Sequence, residues 1–260
     1  MQIATWNING VKARLETAIA WLREAKPDVA CFQEIKSVDE GFPRAEFENL
    51  GYNVHTHGQK GFNGVAILSL RPVDDIVRGL PGDDSDEQAR YIEAVVPGEH
   101  SVARIGCLYL PNGNPVDSDK YPYKLAWMDR LIRHARDRLS LEEPFILAGD
   151  YNVIPEARDA AKPELWTDDA LFLLSTREKF RELANLGFTD AVRRFNQADG
   201  VYTFWDYQAG AWQRNNGIRI DHMLLSAQAT DRALSSRIDA HVRGWEKPSD
   251  HVPVIVELDI

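Results

Sequence analysis

The feature that most limits the fold of this chain is a series of short strand-like apolar runs, some of which follow one another with no helix between them. The runs "RYIEAVV" (90–96) and "VARIGCLYLP" (102–111) are separated only by a short polar turn. Strands this close in sequence can pair as antiparallel hairpins, whereas a uniform parallel array needs a long crossover after each strand. The pattern therefore predicts an α/β protein in which two packed, mixed β-sheets are flanked by helices, a four-layered sandwich.

Helices are predicted at three places between the strand-like runs. Apolar residues recur every three or four positions over 11–25 and again over 123–139. A third helix is predicted to begin at a capping box formed by Ser175 and Glu178, with Gly187 just beyond its end. The other runs predicted to be strands are "QIATWNI" (2–8), "DVACFQE" (28–34), "GVAILSL" (64–70), "PFILAGDYN" (144–152), "GVYTFWDY" (200–207), "IRIDHMLLS" (218–226) and "VPVIVEL" (252–258).

Length and composition predict a single catalytic domain over residues 1–260. With 44% hydrophobic residues the chain can bury a large core, and no linker, repeat or low-complexity segment divides it. No apolar run approaches the roughly 18 residues of a membrane span, and no signal peptide is evident, so we expect a cytoplasmic protein without a membrane partner. Cys31 and Cys107 lie in apolar runs and are expected to be buried, free thiols.

The charge of the chain limits its class of partner. A formal net charge of -10 argues against broad nonspecific adhesion to nucleic acid, because Lys and Arg supply most of that affinity. An enzyme that acts on nucleic acid through a local basic face remains compatible with this balance.

Polar residues close or interrupt several of the apolar runs, and their chemistry suggests one shared site. Burying carboxylates beside apolar strands is costly unless a cation or hydrogen bonds compensate, so convergence on one cleft is the economical explanation. A single such residue could equally be a cap or a turn residue. The residues concerned are Asn7, Glu34, Tyr109, Asp150, Asn152, Asp221, Asp250 and His251.

These residue types suit the hydrolysis of a phosphate ester with a divalent metal ion. Carboxylate and amide oxygens are ligands for Mg²⁺ or Mn²⁺, whereas a zinc site would require more His or Cys. Asn and His can donate to phosphate oxygens, and an Asp can manage the proton of a water nucleophile. The chain has no glycine-rich phosphate-binding loop of the P-loop or dinucleotide type, which argues against nucleotide-driven chemistry.

Six motifs along the whole chain resemble, in order and spacing, those of the exonuclease III family of DNA repair nucleases. That family belongs to the endonuclease/exonuclease/phosphatase superfamily. The resemblance implies a Mg²⁺-dependent phosphodiesterase, with Mn²⁺ as a substitute, that acts as a 3′ to 5′ exodeoxyribonuclease, an abasic-site endonuclease or both, and also as a 3′-phosphatase. The motifs are "TWNING" (5–10), "PDVACFQEIK" (27–36), "YLPNG" (109–113), "LAGDYN" (147–152), "NNGIRIDHMLLS" (215–226) and "SDHVPV" (249–254).

The resemblance implies a metal site and a partner as well. Glu34 would be the main Mg²⁺ ligand, with Asp250 and Asn7 in or next to the coordination shell and Asp150 and Asn152 beside it. The substrate would be double-stranded DNA with abasic sites or 3′ ends, and the enzyme is expected to act as a monomer.

The catalytic roles that the resemblance implies centre on the scissile phosphate. Tyr109 and Asn152 would hold the phosphate, and Asp150 would either deprotonate the attacking water or protonate the leaving oxygen. His251 would donate to the phosphate while Asp221 orients its ring.

Three further residues are predicted to bind substrate. Phe204 and Ile218 fall where the family lines a pocket for a flipped-out abasic sugar, although an ordinary core position would also explain both. Lys60 is predicted to contact a DNA phosphate, with solvated surface as the alternative.

Two other functions compete with this interpretation. One keeps the superfamily and changes the substrate to a phospholipid, an inositol phosphate or RNA. The other is a noncatalytic nucleic-acid binding module, against which the intact acidic residues and His251 speak. Within the exonuclease III family, the balance among abasic endonuclease, exonuclease, 3′-phosphatase and RNase H activities is left open.

Overall fold

The computed structural model describes residues 1–260 and contains two six-stranded mixed sheets flanked by helices, which confirms the predicted sandwich. The strands are β1 (Gln2–Asn7), β2 (Val29–Gln33), β3 (Asn53–His57), β4 (Val65–Ser69), β5 (Asp74–Arg78), β6 (Tyr91–Pro97), β7 (Val102–Tyr109), β8 (Phe145–Asp150), β9 (Thr189–Asp190), β10 (Asp221–Leu225), β11 (Ala233–Ile238) and β12 (Val254–Leu258). The α-helices are α1 (Leu15–Ala25), α2 (Arg44–Glu48), α3 (Lys120–Leu139), α4 (Leu174–Ala184), α5 (Ala191–Phe195) and α6 (Ala227–Asp231).

Each sheet contains one parallel pair among antiparallel neighbours. The first has the order β11-β12-β1-β2-β4-β3 and the second β5-β6-β7-β8-β10-β9. β1 and β2 are parallel, as are β7 and β8, while β6 and β7 form the hairpin that the sequence predicted. The carboxyl ends of β1, β2, β7 and β8 therefore point toward one edge of the sandwich, where polar residues follow the apolar runs.

Apolar packing fills the space between the sheets and beneath the outer helices. A cluster of 22 buried residues lies between the two sheets and includes Cys31 and Cys107, which are buried and free as predicted. A second cluster packs α1 on the first sheet around Trp6 and Trp21, and a third packs α3 on the second sheet around Trp127. No helix of the structure combines the length and apolar character needed to cross a bilayer.

The predicted capping box of α4 is wrong. The residue that precedes α4 is Leu173, whose side chain makes no capping hydrogen bond, and Ser175 lies inside the first turn. The Ser175 hydroxyl instead pairs with the Tyr121 hydroxyl at 2.9 Å. The Ser175 side chain therefore makes a tertiary hydrogen bond instead of the capping hydrogen bond that the local pattern predicted.

Two other boundaries differ from the sequence-based expectation. α1 begins at Leu15, because residues 11–14 form turns that carry the chain away from β1. The predicted strand over 200–207 is not a strand: Phe204 makes only isolated bridges, one with Ile218 and one with His251. This segment therefore joins two parts of the polar edge instead of extending a sheet.

Candidate active site

The structure brings the predicted polar residues together at the edge where strands of both sheets end. Glu34 follows β2, Asp150 ends β8, and Asp250 and His251 precede β12. Asp221 begins β10 and lies directly opposite Asp150 in the antiparallel register. A cleft of about 300 Å³ is lined by residues that include Glu34, Tyr109, Asp150, Asn152, Phe204, Ile218, Asp250 and His251.

His251 lies between two buried carboxylates. Its Nδ1 is 2.9 Å from Asp221 Oδ2, and its Nε2 is 3.7 Å from Asp150 Oδ2. Burial alone would lower the pKa of His251, but the negative charges of Asp221 and Asp150 outweigh burial and raise it to about 10. The imidazole is therefore a cation whose Nε2 side faces the cleft and can donate to an anionic oxygen.

Asp150 has the opposite perturbation. Burial raises its pKa to about 7, the nearby His251 cation opposes this rise, and the charge of Asp221 adds to it. A carboxyl group with this pKa can both accept and release a proton near neutral pH, which is the property that general acid–base catalysis requires.

Asn7 connects two carboxylates beneath the cleft. It is completely buried, and its Nδ2 donates to Glu34 Oε1 at 3.0 Å and to Asp150 Oδ2 at 2.8 Å. Its Oδ1 accepts the backbone N–H of Asn9 and retains a second lone pair. The structure thus places Asn7 next to the predicted metal ligands, in an orienting position.

The two carboxylates nearest the solvent, Glu34 and Asp250, are held by neighbours with N–H donors. Lys36 Nζ lies 2.9 Å from Glu34 Oε2, and Asn9 Nδ2 donates to Asp250 Oδ1 at 3.0 Å. Burial would raise the pKa of Glu34, but hydrogen bonds from Asn7 and Lys36 and the Lys36 charge outweigh it and lower the pKa. Glu34 is therefore ionised at neutral pH.

Tyr109 and Asn152 lie on the opposite wall, from β7 and the segment after β8. Burial and the charges of Glu34 and Asp150 raise the pKa of Tyr109 well above its ordinary value, so its hydroxyl remains a donor. Asn152 Nδ2 donates to the Leu110 carbonyl at 2.9 Å, and its Oδ1 accepts from Asn112 at 3.2 Å. The other N–H of this amide has no protein acceptor, and Asn152 lines the cleft.

Phe204 and Ile218 lie at the apolar end of the same cleft. The Phe204 ring packs edge-on against the His251 ring with centroids 4.9 Å apart, and Phe204 is partly exposed. Ile218 is buried among apolar residues and still contributes to the cleft wall. Trp166, which the sequence did not single out, lines this end as well.

Lys60 lies outside the cleft. It is exposed in the turn between β3 and β4, and its neighbours Gln59 and Phe62 contribute to an adjoining groove while Lys60 does not. Its predicted contact with DNA phosphate stays a prediction.

The donor set fits a hard divalent cation. Glu34, Asp150, Asp221 and Asp250 supply four carboxylates, whereas the cations beside them are Lys36 and His251. Atoms of Asp150, Asp221 and His251 that could bind a metal all lie within 4.8 Å of one another. Asp221 is paired with His251, so Glu34 and Asp250, at the open side, are the carboxylates placed to receive a metal ion. Both oxygens of Glu34 also have N–H partners, on Asn7 and Lys36.

Sequence reasoning missed several residues that shape the site. Ser249 Oγ donates to the Asn7 carbonyl at 2.7 Å and accepts the His251 backbone N–H at 3.2 Å. Asn9 and Asn112 each stand directly before a glycine, and an Asn-Gly pair is typical of an ordinary turn. Asn112 also contacts Asn152, 40 positions away, and Asn9 contacts Asp250, over 240 positions away, and the local pattern carries no signal of these two contacts.

Comparison with known proteins places the chain beside DNA repair nucleases. Residues 4–251 match the model of the "Endonuclease/Exonuclease/phosphatase family". Exodeoxyribonuclease III of Haemophilus influenzae is 34% identical over 99% of this chain and 100% of its own length. An AP endonuclease from Archaeoglobus fulgidus is 36% identical with a TM-score of 0.94, and a 3′ phosphatase from Neisseria bound to a product DNA hairpin is 35% identical with a TM-score of 0.95. In both structures, coverage is 100% of either chain.

Proposed function

The chain belongs to the endonuclease/exonuclease/phosphatase family, and from that premise we propose that it is a Mg²⁺-dependent DNA repair phosphodiesterase. Its substrates are 3′ ends and abasic sites of double-stranded DNA, attacked by 3′ to 5′ exonuclease, abasic-site endonuclease and 3′-phosphatase chemistry. The observation that carries the proposal is the acidic excess at the cleft, where Tyr109, Asn152 and His251 present donors to the same space. The nuclease names of full-length relatives support it.

Glu34 and Asp250 would hold the metal ion, with Asn7 keeping Glu34 and Asp150 in place. A bound Mg²⁺ supplies positive charge to the phosphoryl oxygens and orients the phosphate. Asn152 and Asp150 line the same cleft and would be the other polar side chains next to the metal ion.

The remaining residues act on the phosphate and its protons. The Tyr109 hydroxyl, the free N–H of Asn152 and the protonated Nε2 of His251 would donate to phosphate oxygens, and this stabilises charge that grows in the transition state. Asp221 keeps the imidazole charged and oriented at 2.9 Å. Asp150, with a pKa raised by burial to about 7, would transfer the proton of the attacking water or of the leaving oxygen.

The apolar end of the cleft would select the substrate. Phe204 and Ile218 offer a small surface that suits a sugar without its base, while an intact nucleotide must be unstacked and must fit the same space. Removal of a 3′ phosphate needs no extruded sugar and should depend little on this surface.

The test compares three substrates with Mg²⁺: a duplex with an abasic site, a blunt duplex and a duplex with a 3′ phosphate. Phe204→Ala should lower abasic-site incision about 10- to 100-fold, because an apolar contact worth roughly 1–3 kcal/mol is lost. The 3′-phosphatase rate should fall much less. If both rates and Tm fall together, Phe204 is a core residue and the pocket assignment is rejected.

The same assay separates the competing functions. Hydrolysis of an inositol phosphate or RNA at rates above those on DNA would favour another substrate within the superfamily. Binding of duplex without turnover of any of the three would favour a noncatalytic module. We also propose that the protein acts as a monomer in the cytoplasm, and sedimentation of the DNA-free enzyme tests its oligomeric state.

A further inference from the structure

Lys124 is a buried basic residue to which the chemistry above assigns no role. It lies on the inner face of α3 and has no exposed surface. Its Nζ donates to the backbone carbonyl of Asn152 at 2.6 Å and to that of Asn112 at 2.9 Å. Both hydrogen-bond partners are therefore backbone oxygens of the two segments that form one wall of the cleft.

The backbone of the two segments, at Asn152 and at Gly113, passes close to the Lys124 side chain. Asn152 adopts a left-handed conformation with φ 48°, which non-glycine residues enter infrequently, and in it the carbonyl meets Lys124. Gly113 has φ 92°, and a Cβ built on it would come within 2.7 Å of Lys124 Cδ. The loop after β7 thus passes too close to the lysine stem to tolerate a side chain there.

The contacts of Lys124 add to side-chain hydrogen bonds that already join the loops of this wall. The Asn112 amide donates to Asn152 Oδ1 at 3.2 Å, so the two residues are linked through their side chains as well as through the lysine. The Asn114 amide donates to Asp169 at 3.1 Å and brings in a third loop, which also lines the cleft. Removal of Lys124 would take this donor away from the carbonyl of the buried Asn152 and from that of the exposed Asn112.

We propose that Lys124 is a positioning residue for phosphodiester hydrolysis, which acts by fixing the backbone of Asn152 and Asn112 so that the Asn152 amide meets the phosphate. The inference rests on the proposed function. The lysine is fully buried and does not line the cleft, so it is not a catalytic residue.

Packing alone does not explain a lysine at this position. Burying an amine costs free energy that packing does not return, and Trp127 and Met128, which lie three and four positions further along the same helix face, are apolar. The amine and the ammonium both carry N–H donors for the two carbonyls, so the positioning does not depend on which form is present.

The test is a double-mutant cycle with Asn152 on the proposed DNA substrates. Lys124→Met keeps the length of the side chain and removes its donors, and it should lower kcat about 10- to 100-fold with little change in KM, the scale of a small misplacement of a reacting group. In an Asn152→Ala background, the same change should lower kcat less than about threefold, because the group that the lysine positions is already gone.

Met128→Ala is the matched control, because it removes buried volume from the same helix face without touching the loops. It should lower Tm and leave kcat per folded molecule unchanged. If Lys124→Met does not fold, the same cycle is run with Lys124→Gln.

Additive losses of Lys124→Met and Asn152→Ala, or a Lys124→Met enzyme as active as the wild type, would overturn the inference. So would a Met128→Ala enzyme that loses as much kcat for the same drop in Tm. If the wild type cleaves none of the three DNA substrates, the proposed function is rejected instead. The wild type is therefore assayed before any variant is made.

Discussion

Two regions of the molecule bury carboxylates and surround them in different ways: β6 of the second sheet, and the cleft at the ends of strands from both sheets. Glu93 in β6 has no exposed surface and contacts Tyr91 Oη at 2.6 Å, His134 Nε2 at 2.8 Å and Arg104 Nη1 at 3.1 Å through hydrogen bonds. It also forms an ion pair with Arg138, whose Nε lies 2.8 Å away. Burial would raise the pKa of Glu93, but these hydrogen bonds and charges outweigh burial and lower it. The fold alone satisfies this carboxylate.

The cleft differs because its carboxylates outnumber its cations. Burial raises the pKa of Asp150 to about 7, although His251 is beside it. Glu34 shares its one cationic partner, Lys36, with the side chain of Asn9. A site that remains acidic after folding is suited to a ligand that brings positive charge, whereas the Glu93 cluster has no such need.

The largest expected effect is on turnover, at the acidic cleft. Asp150→Asn and His251→Asn should each lower kcat by about 10²- to 10⁴-fold, the range for removing a positioned proton-transfer group or donor. Both variants should still fold, and Tm should fall more for His251→Asn, which leaves the buried Asp221 without its cationic partner, than for Asp150→Asn. Steady-state rates and melting curves on the same preparations measure both.

Asp221→Asn sharpens this result. If Asp221 acts only by orienting His251, Asp221→Asn should lower kcat less than His251→Asn does. The double variant should then lose far less kcat than the two single losses combined would give. Two independent, additive losses would show that the residues act separately.

The Glu93 cluster should respond in the opposite way. Glu93→Gln leaves Arg104 and Arg138 without their buried carboxylate and should lower the free energy of unfolding by about 3–5 kcal/mol, the scale of breaking a buried pair. The kcat of the folded fraction should stay within about twofold of the wild type, since no cleft residue is touched. Urea unfolding and rates at low temperature separate the two quantities. A large loss of kcat without loss of stability would remove the distinction between the regions.

The smallest effect concerns a histidine that the fold keeps neutral beside the cleft. Burial and the Arg219 charge lower the pKa of His222 to about 4, and its Nε2 donates to the Val153 carbonyl at 2.9 Å. The imidazole therefore binds a proton more tightly in the unfolded state than in the folded state. The stability that comes from neutral, buried His222 is fully present above about pH 6.5 and is lost as pH falls to about 4. The loss should amount to about 3 kcal/mol.

Comparison with His222→Gln isolates this contribution. The variant should lose less stability than the wild type between pH 7 and pH 4, because it has no imidazole to protonate. Parallel curves of unfolding free energy against pH for the two proteins would show that His222 does not titrate in this range.

The sequence predicted the sandwich and the polar edge because both depend on local features. Apolar alternation determines which runs become strands, and parallel strands bring their carboxyl ends to one edge. The same pattern does not separate Glu93 from Asp150: each is an acidic residue in or at the end of an apolar run. Only the tertiary partners, which come from α3 in one case and from β10 and the segment before β12 in the other, distinguish a neutralised carboxylate from a reactive one.

Lys124 and the segment around Phe204 show the same limit. A lysine on an amphipathic helix is predicted to be exposed to solvent, and an aromatic residue among apolar neighbours is predicted to lie in a strand. Their positions are set by loops that meet only in the folded chain, such as the bridge between Phe204 and His251. Sequence pattern therefore located the strands that carry the site and missed the residues that hold its loops.

The most direct test of the central claim is a metal titration of the wild type and Glu34→Gln. The wild type, stripped of metal and held in EDTA, should not cleave a DNA duplex with a 3′ phosphate or an abasic site, and Mg²⁺ should restore turnover and raise Tm as binding to the folded state requires. Glu34→Gln should need a higher Mg²⁺ concentration for both effects, while Glu93→Gln should respond to Mg²⁺ like the wild type. Full turnover of the metal-stripped wild type in EDTA would contradict the claim that the acidic excess of the cleft exists to bind a cation.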